Sequence, residues 1–110
     1  MDSKKRLIDL LKKLISFQSI SPGCGGAIPF LAEYLKSFGF DAQVISSGGL
    51  LNLVATTDPI SKNIDICFSG HVDVVEPGDL KSWHFDPFIG AVDDGKIYGR
   101  GVVDMKGAIA

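Results

Sequence analysis

His71 and Asp73 stand out because their types and spacing could do chemistry. They sit in Gly70-His71-Val72-Asp73, where the apolar run Ile64 to Ser69 gives way to a loop rich in Gly and Pro. In extended backbone alternate side chains share a face, so the imidazole and the carboxylate point the same way, about 7 Å apart along the chain. A neutral imidazole is a good zinc ligand, and a carboxylate beside it can orient it or act as a base. The plain alternative is a histidine that hydrogen-bonds its neighbour at the end of a strand. Asp104 follows about thirty residues later, after a segment that can fold back beside the strand end. With two oxygens it could bridge two metal ions about 3.5–4 Å apart, the spacing with which hydrolases hold an attacking water and polarise a carbonyl. As an N-cap for Met105 to Ala110 it would need no metal, and the sequence leaves both readings open.

Other candidates carry less. Gly99-Arg100-Gly101-Val102-Val103-Asp104 approaches a dinucleotide fingerprint, but an Asp replaces the third glycine and would repel phosphate. His84 lies in the aromatic stretch Trp83-His84-Phe85-Asp86-Pro87-Phe88, where packing under Trp83 and Phe88 explains it better than metal binding. Ser19, Ser21, Cys24 and Cys67 have no base at a suggestive spacing, so covalent catalysis has no case. Between Asp65 and Asp104 acidic side chains outnumber Lys81, Lys96 and Arg100, which favours a cation but also describes a solvated acidic surface.

Around these residues the pattern predicts the elements that must position them. Leu7, Leu10, Leu11, Leu14 and Ile15 recur at helical spacing between Ser3 and Phe17. Ser21 to Gly26 reads as a loop, followed by a helix that turns Phe30, Leu31, Tyr34, Leu35 and Phe38 inward and ends at Gly39. Strands are expected over 40–45, 51–56 and 64–69, the last apolar on both faces as suits a central strand. A hairpin is expected about Asp93-Asp94-Gly95, and a further helix begins near Ala108.

With 110 residues, 45% hydrophobic and 22% charged, the chain has the composition of one packed domain or a piece of one. A net charge of −2 supplies no cationic field, which argues against nucleic acid and anionic membranes as partners. Lys4-Lys5-Arg6 could open a signal peptide, but Asp9, Lys12 and Lys13 interrupt the apolar run that would have to follow. Two widely separated cysteines, read as buried thiols, suit a reducing compartment, so the expected location is cytoplasmic.

Ser69-Gly70-His71-Val72-Asp73-Val74-Val75, Pro77-Gly78-Asp79, Trp83, Asp86-Pro87-Phe88, Asp94 to Gly101 and Asp104-Met105-Lys106-Gly107 together closely resemble the M20 family of dinuclear zinc peptidases and deacylases. The resemblance implies an α/β three-layer sandwich with a mixed central sheet. Residues 1–110 would be the N-terminal portion of its metal-dependent catalytic domain, with the remainder and a dimerisation domain absent. It further implies His71 and Asp104 as ligands to zinc, Asp104 bridging two ions, with Asp73 as the catalytic carboxylate that orients His71. Two Zn2+ would fill a complete site, with Co2+ a possible substitute, and the peptide bond after Asp104 would be cis.

The substrate implied is a small N-acyl amino acid, cleaved at its amide; another deacylase or a dipeptidase of the family is the alternative. The family's paired Glu, a further carboxylate ligand and a late His have no counterpart among these residues, whose only glutamates are Glu33 and Glu76. The chain alone is therefore expected to be inactive and poorly soluble, and to need a complementing C-terminal chain; the full-length parent is expected to be a homodimer. A non-catalytic product of a split or decayed gene is the remaining alternative.

Overall fold

The computed structural model describes residues 2–110. Helix α1 spans Ser3–Ser16, its first turn capped by the Asp2 carboxylate, which accepts from the Lys4 amide at 3.1 Å. Its periodic stripe buries Leu11, Leu14 and Ile15. Helix α2, Ala27–Lys36, buries Ala27, Ile28, Leu31 and Ala32. Gly39, at φ 87°, turns the chain away after it. Phe38 was expected inward but is exposed, because it lies beyond the last helical turn; its ring lies 5.2 Å from that of Tyr34 and 6.0 Å from the Arg6 guanidinium.

Strands β1 (Asp41–Ser47) and β2 (Leu50–Thr56) form an antiparallel ribbon, Asp41 opposite Thr56 and Ser47 opposite Leu50. The turn between them is Gly48-Gly49, both at positive φ, the geometry that a two-residue hairpin demands. Period-two alternation along β2 sends Leu51 and Leu53 against the core of Leu14, Ala27, Ile28, Leu31 and Val72. A second hairpin pairs β3 (Ala91–Asp93) with β4 (Lys96–Tyr98) across Asp94-Gly95, as the turn residues predict. Gly107–Ile109 forms the short helix α3.

The α/β class is as expected, but the sheet within these residues consists of two separate two-stranded ribbons and one parallel bridge, Ile20 to Val74. The strand expected over 64–69 is not formed. A strand exists only through a neighbour's hydrogen bonds, and among the described residues none pairs with this segment. Ile64, Ile66 and Phe68 are consequently exposed, Phe68 by 94%. The radius of gyration, 15.2 Å against about 13 Å for a compact chain of this length, reflects the same openness. Among the described residues no helix is long and apolar enough to cross a membrane. Cys24 and Cys67 are both free, but Cys24 is half-buried and Cys67 exposed rather than buried as read, since Cys67 belongs to the unpaired segment.

Lys106 is fully buried, its ammonium donating to the Phe17 carbonyl at 2.9 Å, and burial pushes its pKa down to about 8. In the unfolded chain the ordinary value is about 10.5, so between pH 8 and 10.5 the unfolded state holds the extra proton and stability rises with pH. The gain should total about 3 kcal/mol. Urea unfolding of the chain and of Lys106→Met across that range checks it: the wild type should gain stability relative to the variant as pH rises.

Candidate metal centre

Beyond the missing strand the chain stays extended through 71–74 and alternates as predicted: Val72 and Val74 are buried, His71 and Asp73 face outward. Behind them the Ser19 hydroxyl, itself fully buried, donates to the Val72 carbonyl at 2.7 Å. The Val74 amide donates to the Ser19 carbonyl at 2.9 Å, and the Ser21 amide to the Val74 carbonyl at 3.1 Å. After the second hairpin Gly99 to Gly101 reverses the chain, with the Arg100 amide bound to the Pro87 carbonyl at 2.7 Å. Residues Val102–Lys106 then form a wide helical turn broken at Asp104 and Met105, whose shared peptide bond is cis, as the resemblance implies. The Ser21–Pro22 bond is also cis, which nothing in the sequence reading anticipated.

These paths bring three candidate residues together. His71 Nδ1 lies 3.1 Å from the Asp73 carbonyl oxygen and 3.2 Å from Asp73 Oδ1, while Nε2 lies 3.0 Å from Asp104 Oδ1. Both ring nitrogens face acceptors, so the protonated ring donates from each; a metal taking the Nε2 side would leave the remaining proton on Nδ1, facing Asp73. The hydrogen bond to the Asp73 carbonyl raises the imidazole pKa above the usual 6.5; partial burial opposes this, and the negative charges of Asp73 and Asp104 add to it. A more basic imidazole is a stronger donor, and its proton competes with a metal as pH falls.

The donor set fits a divalent ion. Two atoms that share one tetrahedral zinc at about 2.0–2.2 Å each lie about 3.3–3.6 Å apart, a few tenths of an ångström more than the 3.0 Å from Nε2 to Oδ1, which a small rotation of the exposed Asp104 side chain would supply. The second Asp104 oxygen remains free for another ion, and with 84% of the side chain exposed it is accessible. His71, Asp73, Arg100, Gly101 and Asp104 line a cleft of about 300 Å³. Among the described residues no third His, Cys, Asp or Glu joins His71 and Asp104 around one point, so the site has two donors where zinc takes about four.

His84 is not part of the site. It is exposed and lines a separate hollow of about 450 Å³ with Trp83 and Phe88. The loop is pinned instead by Trp83, whose Nε1 donates to the Pro77 carbonyl at 3.0 Å and whose ring lies 5.2 Å from the Arg100 guanidinium. Three contributors escaped the sequence reading. Met105 Sδ accepts from the His71 amide at 3.4 Å, and Ser19 and Lys106 anchor the backbone on either side. The one available signal was Lys106, a single cation in an otherwise apolar stretch from Met105 to Ala110.

Comparison with known proteins points to a class: residues 67–110 match Peptidase family M20/M25/M40, in line with the resemblance seen in the sequence. Over nearly its whole length the chain is also similar to particular proteins. It is 47% identical over 104 residues to the succinyl-diaminopimelate desuccinylase of Wolbachia pipientis wMel, covering 94% of this chain and 26% of that protein. It is 48% identical over 106 residues to the enzyme of the same name from Ehrlichia canis strain Jake, covering 93% and 27%. Among solved structures, human carnosine dipeptidase 1 superposes with a TM-score of 0.78 at 25% identity, covering 96% of this chain and 26% of that one. The chain therefore spans about a quarter of the length of the curated relatives it matches.

Proposed function

We propose that this chain supplies the N-terminal part of a zinc-dependent amide hydrolase that releases succinate from N-succinyl-LL-2,6-diaminopimelate, a step of lysine biosynthesis. The observation that carries the reading is the placement of His71 between Asp73 and Asp104 in a chain nearly half identical to proteins named as desuccinylases. His71, through Nε2, and Asp104, through its carboxylate, would hold the metal, with Asp73 fixing the ring and its tautomer. Zinc, for which Co2+ can substitute, would supply Lewis acidity toward the amide carbonyl and make water acidic enough to attack at neutral pH. The free thiols of Cys24 and Cys67 support a cytoplasmic setting. Structural likeness to a dipeptidase favours peptide cleavage as the second reading.

With two of the donors a zinc site needs and no paired glutamate, the chain alone should release no succinate. Mixed with a polypeptide covering the remaining three quarters of the Wolbachia enzyme, it should do so. Succinate release from the mixture supports the desuccinylase reading. Cleavage of carnosine instead would shift it to a dipeptidase, turnover by the chain alone would refute the need for a complement, and an inert mixture would leave a non-catalytic fragment.

A further inference from the structure

We propose that Ser19 and Lys106 are positioning residues that set the distance between the two halves of the metal centre, with the Phe17 carbonyl as their common anchor. This rests on the metal-binding role given above to His71 and Asp104. The two donors come from segments that no backbone-to-backbone hydrogen bond joins among the described residues; the bond from the His71 amide to Met105 Sδ, at 3.4 Å, ends on a flexible side chain. Each is tied instead to the short stretch that leaves helix α1. The Phe17 carbonyl oxygen accepts from the Ser19 amide at 2.8 Å and from the Lys106 ammonium at 2.9 Å. From Ser19 the path continues through its hydroxyl to the Val72 carbonyl at 2.7 Å, the peptide lying between His71 and Asp73. From Lys106 it continues through the amide, which donates to the Gly101 carbonyl at 2.8 Å and closes the turn that carries Asp104.

Both side chains are fully buried, so water does not compete for these bonds. No carboxylate lies within ion-pair distance of Lys106 among the described residues, an expensive way to seat an ammonium. Methionine would fill the same space without that cost, but it has no donor for the Phe17 oxygen. The bond to Phe17 spans 89 residues and that from Ser19 to Val72 spans 53, so together they fix a long-range distance that local structure leaves free.

The test uses Lys106→Met and Ser19→Ala in this chain, with two readouts. In the metal-free protein, the nuclear Overhauser contact between the Met105 methyl and Gly70, which adjoin in the structure, should be lost or strongly weakened in both variants. In Co2+ titrations of the chain complemented as above, followed by visible absorption, both should bind at least about tenfold more weakly and with an altered band. Lys106→Met should nonetheless melt no lower than the parent, which separates positioning from general support of the fold. Ser19→Ala removes one hydroxyl and decides the matter should Lys106→Met fail to fold. An unchanged Met105–Gly70 contact in the variants overturns the proposal. If the complemented parent binds no Co2+ at all, the metal reading fails, while the metal-free contact still decides the role of Ser19 and Lys106.

Discussion

Replacing His71 with alanine should abolish tight binding of one metal ion and lower succinate release by the complemented protein at least about a thousandfold. The ring is the one imidazole in the cleft, and its Nε2 is the nitrogen aimed at Asp104. Without it an ion on that side keeps only an Asp104 oxygen from this chain, far from the four donors zinc takes. Loss of several kcal/mol of charge stabilisation at the carbonyl corresponds to that fall in rate. Asp73→Asn should be milder, because the ring keeps its 3.1 Å bond to the Asp73 backbone carbonyl and hence its tautomer. Metal content by mass spectrometry and kcat/KM on the same samples check both. His71→Ala with full metal occupancy would remove the ring from the metal site.

Gly101→Ala should destabilise the chain by about 2–4 kcal/mol. At φ 88° an L side chain costs about 1 kcal/mol. A methyl group there would also lie 2.6 Å from Val74 Cγ1, in the tightly packed backing of the site, where overpacking adds about 1–3 kcal/mol. Gly78 isolates the two contributions, since its φ is 76° but a methyl group would meet nothing within 4 Å. Gly78→Ala should therefore cost only about 1 kcal/mol. Urea unfolding of the three proteins at one pH measures the difference, and equal losses at both positions would show that the Val74 contact yields.

Helices α1 and α2 were legible because their apolar residues repeat with the helical period over at least two turns, and the second hairpin because Asp94-Gly95 suits positive φ. The alternation from His71 to Val74 was legible for the same reason, since side chains along extended backbone change face at each residue. Where the sequence reading failed, the outcome depended on a distant neighbour. Ile64 to Ser69 has the composition of a central strand but no pairing partner, and Phe38 and Cys67 have apolar character but nothing to cover them.

By itself, then, the sequence determined the local elements, the turns, the shared outward face of His71 and Asp73, and the family resemblance, because steric preference and periodicity act between residues a few positions apart. Only the tertiary structure decided that Asp104 meets His71 Nε2 rather than merely capping a helix, and that Lys106 is buried on Phe17. Contacts across 33 and 89 residues follow from how whole elements pack, and the van der Waals and hydrogen-bond forces that select them leave no periodic mark on the chain.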